Sequence, residues 1–485
     1  MAVHPMISSL SRLRLIDHSS LNTDASRHSS QRRIQIREKR NMKSQFCIFI
    51  ATFAVFLASI GAAHSNDAKI GERPNIVVIL ADDFGYECVG ANGGTSYATP
   101  HLNRLAAGGA RYEHCYTQPL CTPTRAQLLT GQLNIRNYVR FGFLDPQLTT
   151  FAHLVKRSGY ATGIFGKWQL GNGPDGPKHF GFDEHVLWQL TRRPPRYANP
   201  GLEIDGREVD FRNGEYGPDL VQDAALKFIY RHQDHPFLMY YPMMLTHAPF
   251  QPTPESKDWD PKAIGEEVNH DPSHFADMVA HLDGHIGQLV AHLEKLKLRE
   301  RTLILFVGDN GTKAKHPSEW LGQTVQGGKS NTTDAGMRVP LIVNWPGRVS
   351  SGRVVKDLVD TTDFLPTICE AANIKLPEGI VLDGHSLLPS ATGQKSEPRK
   401  WLYSWYWPNQ NAESGARKPV ELARTHRYKL YGDGRLLELD GHYGEVELDL
   451  KKLDADATAA QKLLSEALQQ FKNARPQSLI NASLR

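Results

Sequence analysis

The sequence predicts an α/β fold: a large, mostly parallel mixed sheet flanked by helices on both faces, then a smaller α+β region with an antiparallel sheet. Three observations carry this. Short, continuous apolar runs rich in β-branched residues recur, as in strands buried on both faces. Segments with apolar residues at helical spacing separate them. Near Leu387–Arg399 (LLPSATGQKSEPR) the composition changes to that of a linker, and strands without intervening helices follow.

Asn75–Leu80 (NIVVIL) is the first buried strand, and Pro100–Gly108 reads as a short helix. Arg125–Thr130 continues helically after the proline of CTPTR, Leu148–Ser158 is a helix and Tyr160–Phe165 a strand. Leu220–His232 is an amphipathic helix, Pro236–Leu245 (PFLMYYPMML) an apolar strand, and Phe275–Leu296 a long amphipathic helix. Thr302–Val307 (TLILFV), Pro340–Trp345 and Leu358–Asp360 continue the sheet. Beyond the linker, Trp401–Trp407, Val420–Lys429 and Arg435–Leu439 suggest antiparallel strands, and Asp456–Asn473 a final helix. The expected organisation is a leader over 1–65, a catalytic domain over 70–390 and a C-terminal α+β subdomain over 396–485.

The formal charge of +4 over 485 residues hides an asymmetry. Residues 1–45 carry nine Lys/Arg against three acids, so the body after Asn66 is mildly acidic, which gives no argument for nucleic-acid binding. The basic leader runs into the apolar stretch Cys47–Ala63, with Ala63 and Ser65 as cleavage positions and Met42 as an alternative start. This is the layout of a secretory signal peptide, although an apolar stretch of that length also approaches what an uncleaved anchor needs. The expected location is an exported compartment: periplasmic, secreted or lysosome-like, with no stable membrane association once the signal is cleaved. The five cysteines, 47, 88, 115, 121 and 369, have neither disulfide-scaffold nor zinc-site spacing, and the pairing of Cys88, Cys115 and Cys369 stays open.

Four predicted strands end in chemically capable residues: Asp82-Asp83, Gly166-Lys167, Thr246-His247 and Asp309-Asn310. In open α/β sheets, sites form beyond the carboxyl ends of strands. Either acidic pair alone is ordinary turn chemistry. Both together after buried strands make an all-oxygen donor set that favours calcium or magnesium. Cys121-Thr122-Pro123-Thr124-Arg125 places a cysteine at a helix start, where backbone N–H groups favour an anion and Arg125 can fork to an oxyanion. A buried structural cysteine before a proline-initiated helix is the plainer alternative.

These motifs resemble the formylglycine-dependent, arylsulfatase-like sulfatases of the alkaline phosphatase superfamily. The resemblance runs from about Pro74 to the C-terminus, through ADDFGY, ATPHLNRLAAGGARYEHCYTQPLCTPTRAQLLTG, GKWQLG, THAPF, GDNG, the GGK segment ending at Lys329, TTDFLPT and DGHSLLP. It implies an alkaline-phosphatase-like sheet and a sulfuric ester hydrolase. Cys121 would be oxidised to formylglycine by a formylglycine-generating enzyme, and its hydrate would supply one oxygen to the metal and another as nucleophile. Asp82, Asp83, Asp309 and Asn310, together with residue 121, would hold Ca2+, with Mg2+ as the lesser alternative. Arg125 and Lys167 would hold nucleophile and sulfate oxygens, while His247 and Lys329 would bind sulfate and help protonate the leaving oxygen. The substrate would be a sulfated small molecule or glycan.

Thr124 stands where the family often has Ser. Gln169 stands where members often have a His, assigned to deprotonating the sulfated intermediate; an amide hydrogen-bonds but takes no proton at ordinary pH. The expectation is that Gln169 preserves positioning while regeneration relies on another group or water. Two alternatives remain open: a phosphonate or phosphodiester hydrolase on the same scaffold, and a pseudo-enzyme that binds sulfated glycans. Outside the site, Arg192, Arg193 and Arg196 read as a solvated loop, and Trp401, Tyr403, Trp405 and Trp407 as a core-facing stripe. His281 and His285 read as structural, and Asn331 and Asn481 begin glycosylation sequons.

Overall fold

The computed structural model describes residues 73–265, 270–407 and 418–482. The leader with its Cys47–Ala63 stretch lies outside them, as does the end of the Asn481 sequon. The described residues belong to one compact unit, Ala68–Arg485. No helix among them is long and apolar enough to cross a membrane.

The strands are β1 (Asn75–Ala81), β2 (Ala110–Tyr116), β3 (Ala161–Lys167), β4 (Glu184–Trp188), β5 (Gly201–Ile204), β6 (Arg207–Asp210), β7 (Phe237–Pro242), β8 (Thr302–Gly308), β9 (Pro317–Trp320), β10 (Gln323–Gln326), β11 (Arg338–Asn344), β12 (Arg353–Asp360), β13 (Leu402–Tyr406), β14 (Val420–Arg424), β15 (Tyr428–Tyr431), β16 (Leu436–Leu439) and β17 (Glu445–Glu447). Ten form one mixed sheet in the order β12-β2-β11-β8-β1-β7-β3-β4-β5-β6. Its centre, β8-β1-β7-β3-β4, is parallel throughout. β11 runs antiparallel between β8 and β2, and β5 runs antiparallel to β4.

The strand alternation explains why the central runs are apolar without interruption. Ile76, Val78 and Leu80 point into one core with the helices Cys121–Thr130, Phe151–Arg157 and Phe364–Ala371. Val77, Ile79 and Ala81 point into a second core with Pro100–Ala107, Gly217–Arg231 and His274–Lys295. Both faces of β1 are therefore fully buried, and each large aliphatic side chain so placed contributes about 1.5–3 kcal/mol. The C-terminal sheet is β13-β14-β15-β16-β17, antiparallel throughout. Ala457, Ala460, Leu464 and Ala467 of the Ala455–Phe471 helix pack on its Ala423, Leu430 and Leu436.

Several boundaries differ from expectation. The helix of the CTPTR segment begins at Cys121, four residues before Arg125, because Pro123 needs no N–H in the first turn. Val420–Lys429 is two strands, broken by a turn in which the N–H of Thr425 donates to the Tyr428 carbonyl. β7 stops at Pro242, short of Leu245. The first part of the expected linker contributes Leu387, Leu388 and Ala391 to the main core.

Candidate active site

The site follows from strand register. Ala81 of β1 pairs with Gly308 of β8, so the next residues on each chain, Asp82 and Asp309, emerge side by side. The Asp309 N–H then donates to the Ala81 carbonyl at 2.8 Å. Glycine is required just before two of the site residues. A Cβ on Gly308 would stand 2.2 Å from the Phe84 carbonyl oxygen, and one on Gly166, which has φ +130°, 1.9 Å from the Pro242 carbonyl oxygen. Asp83 turns away from the strand direction with φ 58°, which lets its N–H reach Asp309 Oδ1 at 2.9 Å.

Asp82, Asp83, Asp309 and Asn310 are all buried. Single oxygens of the three aspartates lie within 4.8 Å of one another. Asn310 Nδ2 donates to Asp83 Oδ1 at 2.9 Å, which turns its own oxygen the other way. Cations enclose this group. Lys167 Nζ, at the end of β3, donates to Asp82 Oδ2 at 2.7 Å and stands 3.6 Å from Cys121 Sγ. Arg125 reaches Asp309 Oδ2 at 3.2 Å and Asp82 Oδ2 at 3.9 Å, and its other arm donates to the Lys167 carbonyl at 2.8 Å. Lys329 Nζ donates to Asp83 Oδ2 at 2.7 Å and to His247 Nε2 at 3.1 Å. His247, on the segment after β7, has a ring nitrogen within 4.8 Å of both Cys121 Sγ and an Asp82 oxygen.

Burial opposes charge here, and the neighbours decide the outcome. Burial alone would raise the Asp82 carboxyl, but Lys167, His247, Arg125 and Lys329 together hold it below the usual range. Asp309 goes up, through burial and then repulsion from Asp82. Burial pushes the Cys121 thiol up, against the pull of Lys167 and Lys329. Burial, followed by Lys329 and Lys167, keeps the His247 imidazole neutral well below its ordinary value. Its Nε2 is thus an acceptor for the Lys329 ammonium.

All ten residues singled out in the sequence stand in or beside this group. Gln169 adopts φ 57°, and its side-chain oxygen is buried without a hydrogen-bond partner among the described residues; its carbonyl accepts from the Thr122 hydroxyl at 3.4 Å. Arg196 overturns its expectation. Instead of lying in solvent it is 1% exposed, sits 4.0 Å from the centroid of the Trp188 ring and brings Nη1 within 3.0 Å of His247 Nδ1. A Pro-rich loop without periodicity gives no sequence signal for that. Arg192 is ion-paired with Asp210 at 2.6 Å. The aromatic stripe is core as expected: Tyr403 and Trp405 pack with Tyr138 and Phe471. Cys88, Cys115, Cys121 and Cys369 are free thiols.

The donor set fits a hard divalent cation. It is all oxygen and buried, and two of its atoms, Asp82 Oδ1 and Asn310 Oδ1, lack a hydrogen-bond partner among the described residues. A cation would satisfy both and relieve the repulsion between Asp82 and Asp309.

The family model "Sulfatase" matches residues 74–374, and "N-sulphoglucosamine sulphohydrolase, C-terminal" matches 329–468. Arylsulfatase A of Homo sapiens is 32% identical over 404 residues, covering 75% of each chain. N-acetylgalactosamine-6-sulfatase of Canis lupus familiaris is 31% identical over 383 residues, covering 72% of this chain and 71% of its own. The crystal structure of Ps i-CgsB in complex with k-i-k-neocarrahexaose superposes with a TM-score of 0.66 at 25% identity, covering 84% of this chain and 94% of that one.

Proposed function

The chain belongs to the sulfatase family and hydrolyses sulfate esters, and from that premise we propose how its own residues divide the work. Cys121 carries a formylglycine in the mature enzyme, installed by a formylglycine-generating enzyme. Asp82, Asp83, Asp309 and Asn310, with residue 121, hold Ca2+. The observation that carries this reading is the pair of partnerless buried oxygens, Asp82 Oδ1 and Asn310 Oδ1, in a carboxylate group that Lys167 links to Cys121. When present, the hydrated aldehyde supplies the nucleophile, and the cation neutralises charge around it.

The protein groups do the rest. Arg125 and Lys167, both buried, face negative charge gathering near residue 121, where fixed cations in a dry site contribute most to rate. Lys329 and His247 bind the sulfate oxygens, and Lys329, as the protonated partner of that pair, supplies the proton for the leaving oxygen. His247 accepts rather than donates at Nε2. With Gln169 unable to take a proton, His247 is the imidazole within reach of residue 121, and we assign it the proton acceptance that regeneration requires. The Nδ1–H of that ring donates to the Ala248 carbonyl, which fixes its orientation.

The substrate class is a sulfated glycan. This draws on the name N-acetylgalactosamine-6-sulfatase of a relative and on the oligosaccharide bound in a structural neighbour. The expected compartment is an exported one: periplasmic, secreted or lysosome-like.

Two measurements test the reading. Mass spectrometry of the peptide across Cys121 should show a loss of about 18 Da relative to cysteine. Chelation should abolish sulfate release from a panel of sulfated glycans, with Ca2+ restoring it. An unmodified thiol in fully active enzyme refutes the nucleophile. Faster turnover of aryl phosphodiesters than of any sulfate ester would point to the related phosphoryl chemistry.

A further inference from the structure

Outside the Asp82–Asp309 group, three side chains from two helices converge. His281 and His285 lie four residues apart on the His274–Lys295 helix and so share a face. Asp219 stands in the first turn of the Gly217–Arg231 helix. Both imidazoles turn Nε2 to one carboxylate atom: Asp219 Oδ1 is 2.6 Å from His281 and 2.9 Å from His285. The other nitrogens are also engaged. His281 Nδ1 is 2.7 Å from Glu255 Oε2, and His285 Nδ1 is 3.3 Å from the Tyr241 hydroxyl. Tyr216 packs edge-on to the His281 ring, with centroids 5.1 Å apart.

Glu255 accepts only, so His281 carries a proton on Nδ1, and in the absence of a metal a second proton on Nε2 lets the ring donate to both carboxylates, Glu255 and Asp219. His285 donates from Nε2 to the same Asp219 oxygen and accepts from Tyr241 at Nδ1. Three donor atoms from two helices thus converge on one point, where a divalent cation can replace the two Nε2 protons. Each ring would be neutral, with Nδ1–H donating outward to Glu255 and to Tyr241, the outer partners that orient metal-bound histidines.

We propose that His281, His285 and Asp219 form a second metal site, selective for a borderline divalent transition ion such as Zn2+ over Ca2+ or Mg2+. Two imidazoles and one carboxylate match zinc, whereas the Asp82–Asp309 group offers only oxygens. The side-chain exposures fit an open position for water. The imidazoles are 7% and 3% exposed, and Asp219 is 44% exposed and gives the ion its entry. The site ties the two helices and the Glu255 loop together.

The full-length enzyme, kept in excess Ca2+ to occupy the all-oxygen group, is titrated with Zn2+ by calorimetry and with Co2+ by visible absorption. We expect one Zn2+ per chain and a Co2+ spectrum of tetrahedral intensity. Asp219→Asn and His281→Ala each weaken Zn2+ at least tenfold, and Glu255→Gln weakens it by roughly 10–100-fold, as loss of an outer partner does elsewhere. Sulfate-ester turnover in Ca2+ stays at the wild-type level in Asp219→Asn, which reports that this variant folds. The proposal is overturned if wild type takes up no Zn2+ at about millimolar concentration, or if uptake is the same in wild type, Asp219→Asn and His281→Ala.

Discussion

Replacing Arg424 with methionine tests how the C-terminal sheet supports the active centre. Arg424 on β14 is 3% exposed at its side chain and pairs with Asp334, 5% exposed, at 2.5 Å. Its guanidinium also lies 3.7 Å from the centroid of the Tyr116 ring, on the main sheet. Beside it, Lys429 Nζ donates to the Thr332 carbonyl at 2.9 Å and pairs with Glu445 at 2.6 Å. These contacts fix the segment that carries Lys329.

Removing one member of a buried ion pair costs about 3–5 kcal/mol, because the other charge is left without compensation. We expect the lower end, since Lys429 remains 3.9 Å from Asp334. Burial raises the Asp334 carboxyl, but Arg424 and then Lys429 leave it below its ordinary 3.8. In wild type, therefore, the stability from Asp334 is present above about pH 4 and is lost as pH falls through the lower folded value. In Arg424→Met the buried carboxyl shifts upward, so acid protonates it in the folded state and relieves the defect. Urea unfolding should show the gap between the two proteins at its widest near pH 7 and narrowing toward pH 4. A displaced Lys329 should lower kcat/KM by about tenfold to a hundredfold. Adding Asp334→Asn to Arg424→Met should restore most of the stability. A loss below about 1 kcal/mol at pH 7, or a gap that widens on acidification, refutes the reasoning.

Lys167→Ala should lower kcat by about 10²–10³-fold in a sulfate-release assay, because Asp82 and residue 121 lose their shared cation; a change confined to KM counts against it. Gln169→His restores a second proton acceptor, and rapid-quench kinetics should show faster decay of any sulfated enzyme, whereas an unchanged decay would show that position 169 does not limit regeneration. Gly308→Ala should cost about 1–3 kcal/mol and most of the activity, since its Cβ would meet the Phe84 carbonyl at 2.2 Å. Wild-type stability and activity in that variant would contradict the register argument.

The sheet centre was legible because strands buried on both faces leave unbroken apolar runs: β1, β3, β7 and β8 were all expected from them. β2 (ARYEHCY) was not, because alternate residues are polar or only half-buried. β5 and β6 are four residues each at the sheet edge, too short for a period to register. The site was legible where a residue follows a strand directly, as Asp82 and Asp309 do. Lys329 lies on no strand, and only the family resemblance pointed to it. Arg196 was misread, because what buries it is Trp188 at the end of β4 and His247, which lies 51 residues away. His281 and His285 have helical spacing, but Asp219, which gives the pair its meaning, lies 62 positions before His281.

Cys121 is 1% exposed, at the first residue of a helix buried along its whole length. If Cys121 is oxidised by an external catalyst as proposed, that catalyst must reach a thiol which the folded chain buries. Oxidation and folding would then compete in time: each molecule that closed over the thiol first would be lost to turnover for as long as it stayed folded. The active fraction of a preparation would then reflect the ratio of two rates during synthesis. Slowing collapse, by lower temperature or by a destabilising change near the helix, should raise the yield of competent enzyme per chain even as it lowers the yield of folded protein.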